Sequence, residues 1–281
     1  GTVSISTDSW IDFWNRVTFG CFFKETQEVT VTAQDTTGGS GIDKVYYYKA
    51  ATPISNASDL ADVSWKSASN NKFNIEKNEK RYVYVKIEDK AGNTYYISTD
   101  GIVVYSDAAQ VTTEITYTKK SLQNADAVVA LNGNTIKEVR NGESVLTRGT
   151  DYTISSDGAT ITFAATYLQG LDANDYIINV SYNPGGETYV EKAGNVPPVD
   201  TTIKLSVIKA VGSVTGISDI SKEYDGTGVN APTFTTTNDR GTNGSNVTIE
   251  YRKADEDTYT TEKPKDAGSY VVRSTVEADS N

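Results

Sequence analysis

The sequence predicts an all-β chain of three tandem β-sandwich modules arranged as an elongated row. Tyrosine is frequent, at 18 residues, and aromatic and β-branched residues favour pleated, half-buried strands. Short alternating runs of apolar and polar residues recur between turn residues, and no helical periodicity extends beyond a turn or two. A chain of 281 residues has room for two or three domains with cores of their own. We place the modules at residues 1–107, 108–208 and 209–281.

The segment Asp266-Ala-Gly-Ser-Tyr270 indicates the kind of sandwich. An Asp-x-Gly-x-Tyr sequence before the alternating run 270–276 is typical of a tyrosine corner that leads into strand F of an immunoglobulin-like sandwich. The tyrosine hydroxyl is expected to bond to the backbone just upstream. Because the sequence ends at Asn281, one strand later, we expect the third module to lack strand G, as part of a longer modular protein. The edge of strand F is then bare or covered by another strand.

The first module contains three alternating strand patterns, at 29–33, 42–49 and 81–89. The segment Asp89-Lys-Ala-Gly-Asn93 predicts a three-residue hairpin loop with Gly92 in the left-handed conformation. That turn sets the register of the hairpin. The paired positions are Asp89 with Asn93, Ile87 with Tyr95 and Lys86 with Tyr96. The inward-facing side chains are then Val45, Tyr47, Val83, Val85, Ile87, Tyr95 and Ile97, with Trp65 and Phe73 in the core or at its rim.

The same register places a set of tyrosines on the outer face of three adjacent strands. Flat aromatic rings stack on the apolar faces of sugars while their hydroxyls stay in water, so this face is a candidate glycan-binding surface. The alternative is cross-strand tyrosine pairing that stabilises the sheet without a ligand. The candidate surface consists of Tyr46, Tyr48, Tyr82, Tyr84 and Tyr96.

The second module shows hairpin turn signals at Asn132-Gly133 and Asp157-Gly158, between alternating strands. Two consecutive prolines cannot lie inside a central strand and mark a loop. The elements expected after the second turn are a short helical turn at 167–171, a strand at 175–181, a loop at Pro197-Pro198 and a strand at 201–208.

The first module carries five segments that point to a known family: Ser9-Trp10, Phe19-Gly-Cys-Phe-Phe-Lys24, Gly39-Ser-Gly-Ile42, Asp89-Lys-Ala-Gly-Asn93 and Ser98-Thr-Asp-Gly-Ile102. Together they resemble an Ig-like repeat of large surface proteins of gut Firmicutes. The resemblance covers nearly the whole module. It implies a cell-wall-attached protein and no reaction.

The second module has the segments 126–135, 146–154, 157–163 and 167–171 in an order that resembles the Ig-like X module of clostridial cellulosome scaffolds and glycan-active enzymes. The resemblance covers about the first three quarters of the module and implies a connector and solubilising spacer. The insert 186–194 departs from the family pattern and is a candidate hairpin extension.

The third module carries Lys222-Glu-Tyr-Asp-Gly-Thr227, Val247-Thr-Ile-Glu-Tyr251 and Lys263-Pro-Lys-Asp-Ala-Gly-Ser-Tyr270. These segments resemble the YDG-type β module of large bacterial adhesins.

Composition limits the chemistry of the chain. The net charge of −11, spread evenly, argues against nucleic acid and anionic membrane as partners. The absence of histidine and the single Cys21 argue against zinc and leave Cys21 as a packed small hydrophobe. We assign no catalytic residue and no cofactor. Calcium stays open near Asp35, Asp43 and Asp89, since oxygen clusters bind it, the alternative being that these carboxylates cap turns.

These observations favour a non-catalytic spacer or adhesion region of a bacterial cell-surface protein, extracellular, wall-attached and monomeric. Its partners would be a glycan or a host or cell-surface protein. Two alternatives remain. One is a glycan-binding module that uses the tyrosine face, and the other is an accessory region of a surface carbohydrate-active enzyme.

Overall fold

A computed structural model describes residues 2–5, 19–35, 38–54, 57–237 and 247–276. These residues form strands in several sheets, with one short α-helix and two 3-10 turns at Ala57–Leu60 and Pro184–Gly186. The predicted fold class is confirmed: the chain is all-β and is built from tandem immunoglobulin-like β-sandwich modules. The segment Ser9-Trp10 and the last five residues lie outside the described ranges.

The first sandwich packs a three-stranded sheet against a larger one around a core of valines, isoleucines and phenylalanines. Its described strands are β1 (Thr2–Ile5), β2 (Phe19–Phe23), β3 (Gln27–Thr32), β4 (Ile42–Ala50), β5 (Lys66–Ser67), β6 (Lys72–Ile75), β7 (Glu79–Asp89), β8 (Thr94–Ser98) and β9 (Gly101–Val104). The small sheet has the order β1-β3-β6, and the larger sheet has the order β2-β9-β7-β4-β5, with β8 also paired to β7. Strands β2 and β9 run parallel.

The predicted register of the larger sheet is confirmed. Ile87 pairs with Tyr95 and Lys86 with Tyr96, and Gly92 in the intervening turn has a φ of 87°. The residues predicted to face the core are buried or packed against it, except one. Tyr95 is 55% exposed, so its inward assignment is wrong. Tyr95 lies on β8 next to the hairpin turn. Alternation assigns its side chain to the inner side of the sheet, but alternation does not ensure that another layer covers the side chain at this end of the hairpin.

The second sandwich encloses a separate core of 17 buried residues. Its elements are β10 (Ala109–Gln110), β11 (Glu114–Thr118), β12 (Ala125–Ala130), β13 (Thr135–Asn141), β14 (Ser144–Val145), β15 (Tyr152–Ile154), β16 (Thr160–Phe163), α1 (Ala165–Gly170), β17 (Asp175–Asn183) and β18 (Thr201–Ile208). One sheet has the order β10-β12-β16-β15 and the other β11-β18-β17-β13-β14. The outer pair β11 and β18 runs parallel.

The turns, the short helix and the late strands predicted for this region are confirmed. The insert is different. After the 3-10 turn at 184–186, residues 187–200 form no strand, so the hairpin extension is wrong. This segment crosses instead to the first sandwich, where Val196 N–H donates to the Phe22 carbonyl at 2.8 Å.

The remaining described residues form two two-stranded sheets, β19 (Ser213–Thr215) with β20 (Thr235–Thr237) and β21 (Val247–Lys253) with β22 (Tyr270–Val276). The Tyr270 hydroxyl donates to the Asp266 carbonyl at 3.2 Å, which confirms the tyrosine corner. Within the described ranges β22 pairs with β21 alone, so the lack of a strand G stays a prediction.

No helix in the described part of the chain combines the length and the apolar character needed to span a bilayer.

Candidate functional site

The predicted tyrosine face lies on the outer side of the larger sheet of the first sandwich. Adjacent strands bring the side chains into cross-strand rows because the register is as predicted. Lys86 lies between Tyr46 and Tyr96, and Tyr84 lies opposite Tyr48. The five tyrosines therefore belong to one face, but their exposure differs.

Tyr82 and Tyr84 are each only 7% exposed, so their assignment to an open ligand surface is wrong. The register is correct, and burial has another cause. A second apolar cluster forms on this face, where the loop after β4 contributes Ile54, Leu60 and Trp65 and the insert contributes Tyr189. The Tyr84 hydroxyl accepts from Ile54 N–H at 2.6 Å and donates to its carbonyl at 3.3 Å.

Tyr46, Tyr48 and Tyr96 are half-buried and are joined by the half-buried Trp65. We call these four residues the aromatic patch. The Trp65 ring lies 5.8 Å from the Tyr96 ring and 6.4 Å from the Tyr48 ring, between centroids. Its indole N–H donates to the Leu60 carbonyl at 3.1 Å, which fixes the orientation of the ring. Sequence reasoning placed Trp65 only in the core or at its rim, since no alternation covers the loop that carries it.

Lys86 lies within the aromatic patch, and Glu88 lies beside it. The Lys86 ammonium lies 4.4 Å from the centroid of Tyr46 and 5.7 Å from that of Trp65, within the range of cation–π attraction. It also contacts the Glu88 carboxylate at 2.7 Å. Hydrogen bonds from Lys86 and, more weakly, from Tyr46 hold the pKa of Glu88 below its ordinary range. The pair is charged but internally balanced, which suits a neutral ligand better than a charged one.

The three aspartates considered for calcium have other partners. Asp35 accepts from Gly41 N–H at 2.6 Å, and Asp43 lies 3.7 Å from the ammonium of its neighbour Lys44. Asp89 accepts from the backbone N–H groups of Ala91 and Asn93. Its hydrogen bonds to Asn93 are the largest influence that lowers its pKa. Asp35 and Asp89 therefore cap turns, and the described residues contain no cluster of three His, Cys, Asp or Glu side chains that could hold a metal ion.

Cys21 has the environment of an inert thiol. It is 4% exposed within the core of the first sandwich. Burial raises the pKa of the thiol to about 11, so it stays protonated near neutral pH and is a poor nucleophile.

The second sandwich offers a different surface. Its large rings Tyr117, Tyr152, Phe163 and Tyr182 are all buried in the core, and Tyr176 is half-buried with its hydroxyl bonded to the Asp172 carbonyl. Among the two sandwiches, a cluster of neighbouring, partly exposed aromatic rings is therefore found on the first.

Comparison with known proteins finds a family similarity over part of the chain. The sequence model of the carbohydrate binding domain X2 family, a non-catalytic kind of module, matches residues 110–191. The match lies within the second sandwich, in agreement with the X-type module expected there, and ends inside the insert.

Cellulose-binding protein A of Clostridium cellulovorans is 33% identical over 107 residues, which are 36% of this chain and 6% of that protein. The chain thus spans a small fraction of that relative's length. Among solved structures, a tri-modular endo-β-1,4-glucanase from Bacillus licheniformis complexed with cellotetraose is 13% identical, with 73% of this chain and 38% of that chain covered and a TM-score of 0.34. An I-band fragment of titin is 10% identical, with 100% and 90% covered and a TM-score of 0.35. Structural likenesses at this level add nothing about activity.

Proposed function

We propose that this chain is a non-catalytic, extracellular region of a bacterial cell-surface or secreted glycan-active protein, in which the sandwiches act as spacers. The match of residues 110–191 to a carbohydrate-binding, non-catalytic family carries this proposal. The relative named for cellulose binding supports a polysaccharide setting over a general adhesive one. The division into modules at 1–107, 108–208 and 209–281 belongs to the same proposal.

The reactive side chains near the aromatic patch and in the core are engaged in structural contacts. The only cysteine is buried and protonated, and the carboxylates of the aromatic patch and its neighbouring turn are engaged by lysine or by backbone N–H groups. Incubation of the chain with a panel of plant and microbial polysaccharides should release no new reducing ends. Release of sugar would contradict the proposal.

A second candidate function is glycan binding by the aromatic patch. The observation that favours it is the half-buried Trp65, whose ring is fixed by its hydrogen bond to Leu60 and lies beside Tyr48 and Tyr96. A fixed ring loses little conformational freedom on binding, and rigid aromatic surface is well suited to a flat sugar ring. The balanced Lys86–Glu88 pair favours a neutral polysaccharide such as a β-glucan.

Native electrophoresis in gels that contain a soluble β-glucan tests this second function. The wild-type chain should migrate more slowly in the glucan gel, and Tyr46→Ala and Trp65→Ala should restore most of the mobility seen without glucan. Tyr95→Ala is the matched control because Tyr95 is an exposed tyrosine of the same sandwich that lies outside the aromatic patch.

The outcomes separate the two functions. If the wild-type chain shows no retardation with any polysaccharide of the panel, glycan binding is wrong and the spacer function stands. If all variants are retarded like the wild-type chain, the aromatic patch is not the site and binding must lie elsewhere on the chain.

A further inference from the structure

The insert of the second sandwich forms an extensive contact with the first sandwich. We call residues 185–199 the strap. Its backbone and side chains meet the outer edge of β2 and the outer face of β9 and β7, more than 60 residues away along the chain. Three kinds of contact hold the strap there.

The first kind of contact completes the open edge of β2. Val196 N–H donates to the Phe22 carbonyl at 2.8 Å. The Asn195 side chain acts as a peptide group would: its Oδ1 accepts from Phe22 N–H at 3.1 Å and its Nδ2 donates to the Gly20 carbonyl at 3.0 Å. An exposed strand edge presents unpaired backbone groups, and the strap satisfies three of them on β2.

The second kind of contact involves aromatic side chains. The Tyr189 ring lies 5.3 Å from the Phe22 ring, which is fully buried. The Tyr105 hydroxyl donates to the Val196 carbonyl at 2.8 Å, and Tyr105 is itself 2% exposed. The strap therefore covers the part of the outer face that the loop after β4 does not reach.

The third kind of contact is ionic. Lys80 of β7 contacts Glu187 at 2.6 Å and donates to the Gly185 carbonyl at 3.2 Å. Lys192 lies 3.5 Å from Asp100, whose side chain is only 4% exposed. Removing one partner of a buried ion pair is destabilising, so this contact links the stability of the first sandwich to the strap.

We propose that the strap couples the two sandwiches, so that they unfold as one cooperative unit and keep a fixed mutual orientation. The coupling needs no ligand. It follows from core-like contacts that the second sandwich supplies to the first, and it goes beyond the proposed function because it would hold whether or not the chain binds a glycan.

The turn that presents Asn195 provides a matched control. Lys192-Ala-Gly-Asn195 in the strap has the same sequence as Lys90-Ala-Gly-Asn93 in the β7–β8 hairpin. Asn93 forms its hydrogen bonds within its own turn, to Asp89, whereas Asn195 forms hydrogen bonds across to β2. Asn195→Ala removes the two side-chain bonds to β2 together with a local bond to the Val190 carbonyl, and Asn93→Ala removes the side-chain bond of an equivalent turn without touching the contact.

Tryptophan fluorescence reports on the N-terminal part of the chain, because all three tryptophans lie at or before position 65 and Trp65 packs against the first sandwich. Unfolding of the full chain in urea is followed with this signal. The core of the second sandwich is then destabilised by substitution of Ile161, which is 0% exposed. If the sandwiches are coupled, Ile161→Ala lowers the urea midpoint of the tryptophan signal in the wild-type and Asn93→Ala backgrounds.

In the Asn195→Ala background, and in Tyr189→Ala, the same substitution should leave the tryptophan midpoint unchanged or shift it much less. If Ile161→Ala prevents folding, Ile161→Val repeats the test with a smaller change. The proposal would be overturned if neither Ile161→Ala nor Ile161→Val changed the urea midpoint of the tryptophan signal in the wild-type chain. It would also be overturned if the midpoint changed by the same amount in the wild-type and Asn195→Ala backgrounds.

Discussion

Tyr84 shows how a single hydroxyl fixes a covering loop on a sheet. Its oxygen accepts from the N–H of Ile54 and donates to the carbonyl of the same residue, so the loop after β4 is held at the middle of β7. Replacement by phenylalanine keeps the ring and leaves the Ile54 backbone groups without this partner. A buried polar group that loses its hydrogen bond costs about 1–3 kcal/mol.

We therefore expect Tyr84→Phe to lower the free energy of unfolding by about 1–3 kcal/mol, measured by urea denaturation followed by tryptophan fluorescence. Tyr95→Phe, on the neighbouring strand and 55% exposed, is the control and should leave stability within about 0.5 kcal/mol. Equal stability of the two variants would mean that the hydroxyl of Tyr84 does not hold the loop.

Glu79 links stability of the first sandwich to pH. Burial acts to raise the pKa of Glu79, but hydrogen bonds from Lys49 and from Glu76 N–H, with the charges of Lys49 and Arg81, outweigh it and hold the pKa below its ordinary value of 4.5. A carboxylate with a lowered folded pKa stabilises the protein above its unfolded pKa. That contribution is lost as pH falls through the folded value.

Glu79→Gln should thus weaken the fold at neutral pH and make the loss of stability below about pH 4.5 less steep than in the wild-type chain. Urea unfolding at a series of pH values measures both effects. Glu143→Gln, an exposed residue of the turn between β13 and β14, serves as the control and should follow the wild-type curve. A Glu79→Gln curve parallel to the wild-type curve would refute the linkage.

At the scale of elements, the turn between β12 and β13 depends on a left-handed residue. Gly133 has a φ of 86° and its missing Cβ would meet open space, so a substitution there is strained by backbone conformation alone. Gly133→Ala should lower the free energy of unfolding of the second sandwich by about 1–2 kcal/mol. Gly170→Ala, at the end of α1 with open space and no positive φ, should be neutral or stabilising. Thermal unfolding followed by circular dichroism compares them, and equal effects would show that backbone conformation is not limiting.

The elements were predictable from sequence because their determinants are local. Alternation at 81–89 and the glycine at position 92 set the register of the hairpin, and the Asp-x-Gly-x-Tyr pattern located the tyrosine corner. The covering of the tyrosine face was not predictable in this way. Tyr82 and Tyr84 are buried by Ile54 and Tyr189, which lie about 30 and more than 100 residues away and carry no periodic signal. Alternation specifies which side of the sheet a residue faces, and tertiary packing decides whether that side is exposed to solvent.

The candidate site was partly predictable for the same reason. Tyr46 and Tyr96 follow from the register, whereas Trp65 belongs to an irregular segment whose position depends on the hydrogen bond to Leu60. The strap carried a sequence signal that is visible once the structure is known: it repeats the Lys-Ala-Gly-Asn turn of the β7–β8 hairpin. A repeated turn sequence outside an alternating strand indicates a bend, but it does not identify the surface that the bend meets.

At the scale of the whole molecule, the order of the sheets along the chain favours an extended arrangement. Each large sheet is built only from strands of its own sandwich, and the cores of the two sandwiches are formed before residue 209. The strap limits bending between the first two sandwiches because it contacts β2, β7 and the segment after β9. The part after β18 makes no comparable cluster of buried residues within the described ranges, so we expect bending of the chain to concentrate near 209–214.

Small-angle scattering of the full chain tests this arrangement. A single compact globule of 281 residues would have a radius of gyration of about 19 Å, and a row of sandwiches should give a clearly larger value with an asymmetric distance distribution. If the strap fixes the first two sandwiches, Asn195→Ala should broaden that distribution further while Asn93→Ala leaves it unchanged. A value near about 19 Å for the wild-type chain would contradict the elongated arrangement, because it would require the sandwiches to fold back on one another.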